Sequence, residues 1–226
     1  MLLLSACASK DNNPDDPYES FNRKVYKFNK AFDATALKPV ATVYKAILPP
    51  QVKKSVTNVY DNTQMLSTIA NDVLQGHLII AYKDSWRFFI NSTIGVLGLF
   101  DVAELWGLPY KPNDFGITLA KWGDTNSPYI VIPLLGPSTI RDGVGMIFDY
   151  RLFSIYSHIH RYSTLYALLG LRYIDLRHQM LDKESIIDEA LDEYSFVREA
   201  YLQNRNYYIN GDPVVDEETI YVDEID

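Results

Sequence analysis

Leu78-Ile79-Ile80-Ala81-Tyr82, Trp86-Arg87-Phe88-Phe89-Ile90 and Ile94-Gly95-Val96-Leu97-Gly98-Leu99-Phe100 follow one another within residues 78–106, with few polar residues between them. Read as helix, this stretch is apolar around much of its circumference, and such a helix has to be buried in protein or in lipid. It does not read as a membrane crossing. Lys83, Asp84, Arg87 and Asn91 interrupt it, and no run reaches the roughly 20 apolar residues that a spanning helix needs. Gly95 and Gly98 supply a bend or a place of close packing. The expected unit is two helices joined by a turn, lying in or under the surface of a bilayer. A charge facing acyl chains is costly, so Arg87, Asn91, Asp101 and Glu104 are expected to turn inward, toward protein or a channel. The same residues allow a second arrangement, in which Arg87 and Asp101 form a structural pair within the helical unit.

Helical periodicity extends outward on both sides. Toward the N-terminus, Phe21, Val25, Phe28 and Phe32 recur at intervals of three and four, one apolar stripe of a helix. Pro39 should end or kink that helix, with Val40 to Leu48 resuming it before Pro49-Pro50. Val52, Val56, Val59, Leu66, Ile69 and Val73 repeat the pattern up to a stop at Gly76. Toward the C-terminus, Asp114 to Gly145 is rich in glycine and proline and reads as irregular, with Tyr129-Ile130-Val131-Ile132-Pro133-Leu134-Leu135 as a short extended run. Helical spacing returns from Leu152 to Leu181. It continues through Ile187, Leu191, Tyr194, Val197 and Tyr201, with Glu189, Glu193, Arg198 and Arg205 on a wetter face. The expected class is all-α: amphipathic helices in one domain over residues 18–210, with an irregular Gly/Pro-rich middle.

A chain of 226 residues, 47% hydrophobic and 22% charged, suits one folded domain. Its single cysteine, Cys7, permits neither an intramolecular disulfide nor a cysteine-based zinc site. Cys7 directly follows Leu3-Leu4-Ser5-Ala6, the pattern of a bacterial lipoprotein processing site. Residues 1–6 therefore read as the remnant of a signal peptide, shorter than the basic start and about 7 to 15 apolar residues of a full one. Cys7 is then the lipidation site, carrying acyl chains such as palmitate, and residues 7–17 form a polar tether. The net charge of −8 is uneven: seven acids and no base follow Gly211, so residues 211–226 read as an acidic, disordered tail. No basic stripe with interleaved aromatics points to nucleic acid. His77 and His178 are isolated and His158 and His160 sit two apart, on different faces of a helix, so no metal site is expected. No Gly-x-Ser-x-Gly elbow is present for a lipid hydrolase, and no phosphate loop for energy coupling. No catalytic residue and no cofactor is expected, apart from the covalent lipid. The 17 tyrosines suit a protein that meets a headgroup layer, though such amphipathic rings accumulate in cores as well.

Several ordered blocks resemble the MlaA/VacJ outer-membrane lipoproteins of Gram-negative bacteria. These are Asp16-Pro17-Tyr18-Glu19-Ser20-Phe21-Asn22-Arg23 with Phe28-Asn29, then Pro39-Val40-Ala41, and Asn71-Asp72-Val73-Leu74-Gln75-Gly76. Arg87 to Gly95 with Gly98-Leu99-Phe100-Asp101-Val102-Ala103 and Asp114-Phe115-Gly116-Ile117-Thr118-Leu119 follow, then Pro133-Leu134-Leu135-Gly136-Pro137-Ser138 and Val197-Arg198-Glu199-Ala200-Tyr201-Leu202-Gln203. Where the family has glycines around a Gly-Pro-Tyr, this chain has Gly123-Asp124-Thr125-Asn126-Ser127-Pro128-Tyr129. The resemblance implies a ring of amphipathic helices in the periplasmic leaflet of the outer membrane, with an amphipathic channel through it. It implies that misplaced outer-leaflet phospholipid passes down the channel to a periplasmic carrier protein of the Mla system, maintaining lipid asymmetry, and that trimeric porins hold the ring in place. Ala8 after Cys7, rather than an aspartate, resembles lipoproteins released to the outer membrane. A structural porin-associated lipoprotein without transport would use the same helices, and a lipid hydrolase is the remote alternative.

Overall fold

The computed structural model describes residues 13, 14 and 16–211. Cys7, the segment before it and the acidic residues from Asp212 onward lie outside the described residues. The fold is a succession of helices with one small hairpin: α1 (Glu19–Phe32), α2 (Lys38–Ile47), α3 (Pro50–Leu74), α4 (Leu78–Thr93), α5 (Val102–Leu105), α6 (Phe115–Lys121), β1 (Tyr129–Ile132), β2 (Gly136–Thr139), α7 (Ile140–Phe148), α8 (Tyr162–Met180), α9 (Glu184–Asp188) and α10 (Glu193–Asn210).

Pro39 neither ends nor sharply breaks the first helix. It lacks an amide hydrogen and crowds the carbonyl four residues back, and the chain absorbs this as one π-helical turn, Asp33–Leu37, from which α2 continues. Pro49 and Pro50 separate α2 from α3, with Pro50 at the first helical position, where its missing donor costs nothing. Gly76, at φ +78°, turns α3 into α4, and these two helices pack along much of their length.

The middle segment is more ordered than its glycine content suggests. Only residues 122–128 are irregular between α6, the hairpin and α7. Asp114 and Thr139 cap the two helices, accepting hydrogen bonds from the amides of Ile117 (2.9 Å) and Asp142 (3.1 Å). Gly116 and Gly145 are not loop formers but contact points between α6 and α7. A Cβ on Gly145 would come within 2.4 Å of the Gly116 nitrogen, and one on Gly116 within 2.4 Å of Asp142 Oδ1.

The antiparallel hairpin, paired from Tyr129–Thr139 to Ile132–Gly136, has no third strand among the described residues. Its open edge is closed by two amides set seven residues apart, two turns along α1. Asn22 donates to Tyr129 O (3.2 Å) and accepts from Val131 N (2.9 Å), while Asn29 donates to Ile132 O (3.0 Å) and accepts from Leu134 N (2.8 Å). An edge strand's unpaired backbone groups are thus satisfied by a helix. Against this edge lies a small core of Tyr129, Val131 and Tyr194, flanked by Val25, Tyr26, Tyr201 and Leu202.

The body starts earlier than Tyr18. Asp16, read in the sequence as part of the tether, is fully buried and receives hydrogen bonds from Asn22 (2.8 Å), Arg198 (3.1 Å) and the Tyr194 hydroxyl. It joins the start of α1 to α10. None of the described helices is long and apolar enough to cross a membrane.

Candidate functional site

Burial in this protein is inverted. Among the described residues, twelve apolar side chains are buried, against eighteen that are polar or charged. Large hydrophobic side chains stand exposed on α1, α2, α3, α4, α7 and α8 alike. In a water-soluble domain the large apolar residues fill the core, and an exposed apolar patch of this extent marks a surface made for contact with a partner protein, a ligand or a membrane.

The inversion is sharpest in residues 78–106. On α4 the buried side is Ala81, Asp84, Arg87, Ile90 and Asn91. The outer side carries Leu78, Ile79, Tyr82, Trp86 and Phe89, with Tyr82, Trp86 and Phe89 in successive edge-to-face contacts at 6.3 and 5.7 Å. Between α4 and α5 the chain makes a left-handed turn. Val96 and Leu97 take positive φ (53° and 57°) and Gly98 follows at +88°. For a β-branched residue this is a strained conformation, and it presents Val96, Leu97, Leu99 and Phe100 outward. Gly95 and Gly98 make the turn possible. A Cβ on Gly95 would meet Phe100 O at 2.3 Å, and one on Gly98 would meet Asn62 Cβ at 2.6 Å.

Three of the four polar residues singled out in the sequence come together under this turn. Arg87 is buried and pairs with Asp101, which caps α5 by accepting from Glu104 N at 3.2 Å. Asn91 donates to Asp101 Oδ1 (3.0 Å) and accepts from Ala103 N (2.9 Å). Burial pushes the Asp101 carboxyl up, but the bonds from Asn91 and Arg87 outweigh it and hold the group below the ordinary carboxylate value. Glu104, the fourth, is exposed and contributes only its backbone amide.

Arg87 also belongs to a wider polar interior. Its guanidinium lies 5.6 Å from the Tyr110 ring centroid, and Tyr110 titrates in the field of Asp61, Arg172, Arg87 and Tyr208. Arg172 on α8 donates to Asp61 on α3 (3.2 Å) and lies over the Tyr60 ring at 5.2 Å. Burial raises the Asp61 carboxyl and the Tyr110 phenol, each against the neighbouring arginines. Beside this set, α3 buries Ser67, Thr68, Asn71 and Asp72. Asp149 accepts there from Ser67 (2.6 Å), Asn71 (2.8 Å) and Phe115 N (2.8 Å).

A separate amphipathic cavity of about 420 Å³ opens between α1, the hairpin tip, α8 and α9. Its wall is apolar at Phe32, Leu37, Leu135, Leu176 and Met180. Its rim is charged at Lys30, Asp33, Arg177 and Glu184. The rim charges are paired: Arg177 donates to Asp33 at 2.7 and 2.8 Å, and Lys30 meets Glu193 at 2.6 Å. An apolar pocket with a polar mouth fits a molecule with one apolar and one charged end. The cavity contains none of Arg87, Asn91, Asp101 and Glu104. It is built from residues more than a hundred positions apart, and the sequence shows only the separate apolar segments that supply Phe32, Leu135 and Leu176, not that they meet.

The family model described as MlaA lipoprotein matches residues 14–208. An uncharacterized protein of Rickettsia bellii (strain RML369-C) is 36% identical over 192 residues, covering 84% of this chain and 75% of its own length. The intermembrane phospholipid transport system lipoprotein MlaA of Escherichia coli (strain K12) is 31% identical over 216 residues, covering 92% of this chain and 85% of its own. A solved structure, described as the structural basis for maintenance of bacterial outer membrane lipid asymmetry, superposes with a TM-score of 0.77 at 31% identity, covering 86% of this chain and 99% of that one.

Proposed function

The chain belongs to the MlaA lipoprotein family, and on that premise we propose that it works as a lipoprotein of intermembrane phospholipid transport in the outer membrane. The observation that carries this reading is the inverted burial: an apolar shell over α1, α2, α4 and α7 around an interior of paired and hydrogen-bonded polar groups. The shell sits among acyl chains of the periplasmic leaflet, with a covalent lipid on Cys7 as a second attachment. Two attachments hold where a single acyl chain would bind only marginally.

The transported phospholipid needs an apolar wall for its tails and a polar one for its phosphate. The cavity between α1, the hairpin tip, α8 and α9 offers both, and the polar interior around Asp61, Arg87, Tyr110 and Arg172 supports a hydrophilic path beside it. Misplaced phospholipid would enter from the outer-leaflet side and leave to a periplasmic carrier, down its own gradient, with trimeric porins holding the protein in position. No chemistry on the lipid is required, and the protein acts as a passage rather than an enzyme.

The test is transfer. Vesicles carrying a labelled phospholipid and the reconstituted protein are mixed with the soluble carrier, and label on the carrier is measured. Transfer that depends on this protein supports the reading. Normal porin binding without transfer would favour the structural alternative, and release of fatty acid would favour hydrolysis.

A further inference from the structure

We infer that the hook formed by residues 149–162, between α7 and α8, is a docking surface for the phosphates of anionic lipid headgroups. Seven of the nine arginines stand in ion pairs. Among the described residues Arg151 and Arg161, both exposed and both on this hook, stand in none. No acid occurs between Asp149 and Asp175, and Asp149 is buried with its oxygens already occupied by Ser67, Asn71 and Phe115 N. The stretch from Ala34 to Tyr60 is equally free of acids; there Lys38 and Lys45 reach across to Glu184 and Asp182 and Lys53 donates to the Lys45 carbonyl (3.0 Å), and only Lys54 stands, among the described residues, without such a partner. The two arginines of the hook are therefore left as uncompensated charge in a protein of net charge −8.

The hook is built rather than loose. A π-helical turn, Asp149–Phe153, leads into a single 3-10 turn, Ile155–His158. Ser154 caps that turn by accepting from Tyr156 N (3.2 Å), and Tyr156 points inward, its hydroxyl 3.0 Å from Thr63 Oγ1 and its ring 6.5 Å from that of Tyr60. With Tyr156 pinned to α3, its neighbours face out: Leu152, Ile155 and Tyr162 are 60%, 41% and 71% exposed. Cations interleaved with aliphatic and tyrosine side chains suit the headgroup level of a bilayer, where the apolar groups dip toward the acyl chains and the arginines stay with phosphate. The patch is also continuous along the chain with the exposed apolar face of α7 at Ile147 and Phe148. Charge complementarity and this continuity favour a lipid surface over an acidic protein. The inference rests on the reading of the apolar shell as embedded in a leaflet, and adds the rim that meets the headgroups and the lipid charge it prefers.

The experiment is vesicle binding by the full chain carrying Cys7→Ser, so that no acyl chain on Cys7 contributes. Vesicles of phosphatidylcholine alone are compared with the same vesicles containing phosphatidylglycerol, at low and high salt. The protein should bind the anionic vesicles roughly 25-fold more tightly at low salt, about fivefold for each arginine, and the gain should fade as salt rises. The Arg151→Gln/Arg161→Gln protein should lose the gain and keep its binding to phosphatidylcholine. The Lys24→Gln/Lys27→Gln protein, altered at exposed lysines of α1, should keep both. A retained gain in the double-arginine protein, or no gain in the parent, overturns the inference. So does a gain that appears only when the chain is truncated after Gly211, since the acidic tail would then be the occupant. Loss of binding to phosphatidylcholine itself counts instead against the embedded shell.

Discussion

Trp86 and Arg87 are neighbours on α4 and face opposite ways. Trp86 is 46% exposed beside Tyr82 and Phe89, while Arg87 is 3% exposed and paired with Asp101. In a soluble helix these two positions would be exchanged. The pair predicts opposite consequences of mutation. Arg87→Met leaves the Asp101 charge buried without its partner and should cost about 3–5 kcal/mol of stability, as breaking a buried ion pair does. Trp86→Ser loses two edge-to-face contacts and should cost about 1 kcal/mol in detergent, clearly less than Arg87→Met, and weaken binding to vesicles. Thermal unfolding in detergent and vesicle flotation check the two together.

The left-handed turn of Val96, Leu97 and Gly98 predicts a divided response to small substitutions. Gly95→Ala and Gly98→Ala each force a Cβ into an atom closer than 3.0 Å and should destabilise by about 1–3 kcal/mol. Val96→Gly releases a β-branched residue from φ 53° and should stabilise the fold in detergent by about 1 kcal/mol. If Val96→Gly also loses stability, the turn is held by packing of the Val96 side chain rather than strained by it.

Asn22 substitutes for a missing strand. Asn22→Ala removes the partner of Tyr129 O and Val131 N and one ligand of the buried Asp16. Unsatisfied buried groups of this kind cost about 1–3 kcal/mol, so this variant should lose clearly more stability than Asn29→Ala, whose site at the hairpin tip is more open. Hydrogen exchange at Val131 gives a local check: its amide should lose protection in Asn22→Ala and keep it in Asn29→Ala.

Asp84 gives the fold a dependence on pH. Its buried carboxyl is pushed up to about 7, by burial first and then by a hydrogen bond to the neighbouring Asp72 carboxylate and the repulsion of its charge. The same group in the unfolded chain titrates near 3.8. Between these values the folded protein keeps a proton that the unfolded chain has released, so stability should fall as pH rises from about 4 to about 7 and level off above that. Asp61 and Asp149, also raised by burial, slope the same way. In Asp84→Asn the decline should be shallower, with the variant gaining on the parent as pH rises. Parallel stability profiles from pH 5 to 8 would contradict this.

Much of the helical order is legible in the sequence, because apolar spacing at three and four marks the same stripe whether the phase outside is water or lipid. Gly76, Gly95 and Gly98 fall where the chain turns. What the periodicity does not tell is which way a stripe faces: Phe21 and Phe28 stand on the outer surface, while Phe32 of the same stripe lines the cavity. The middle segment reads as irregular for a related reason, since Gly116 and Gly145 look like loop residues in the sequence and serve helix contact in the fold. The Arg87–Asp101 pair could be guessed from charge and separation. The partnership of Arg172 with Asp61, 111 residues away, and the cavity rim of Asp33 and Arg177, have no local signature at all.

The central claim, that the apolar shell faces acyl chains, is tested most directly by the fluorescence of Trp86. Trp106→Phe and Trp122→Phe leave it as the only tryptophan of the chain. In reconstituted vesicles, lipids brominated on the acyl chain should quench Trp86 strongly and aqueous iodide should quench it weakly. Strong quenching by iodide with none from brominated lipid would place this face in water and contradict the account.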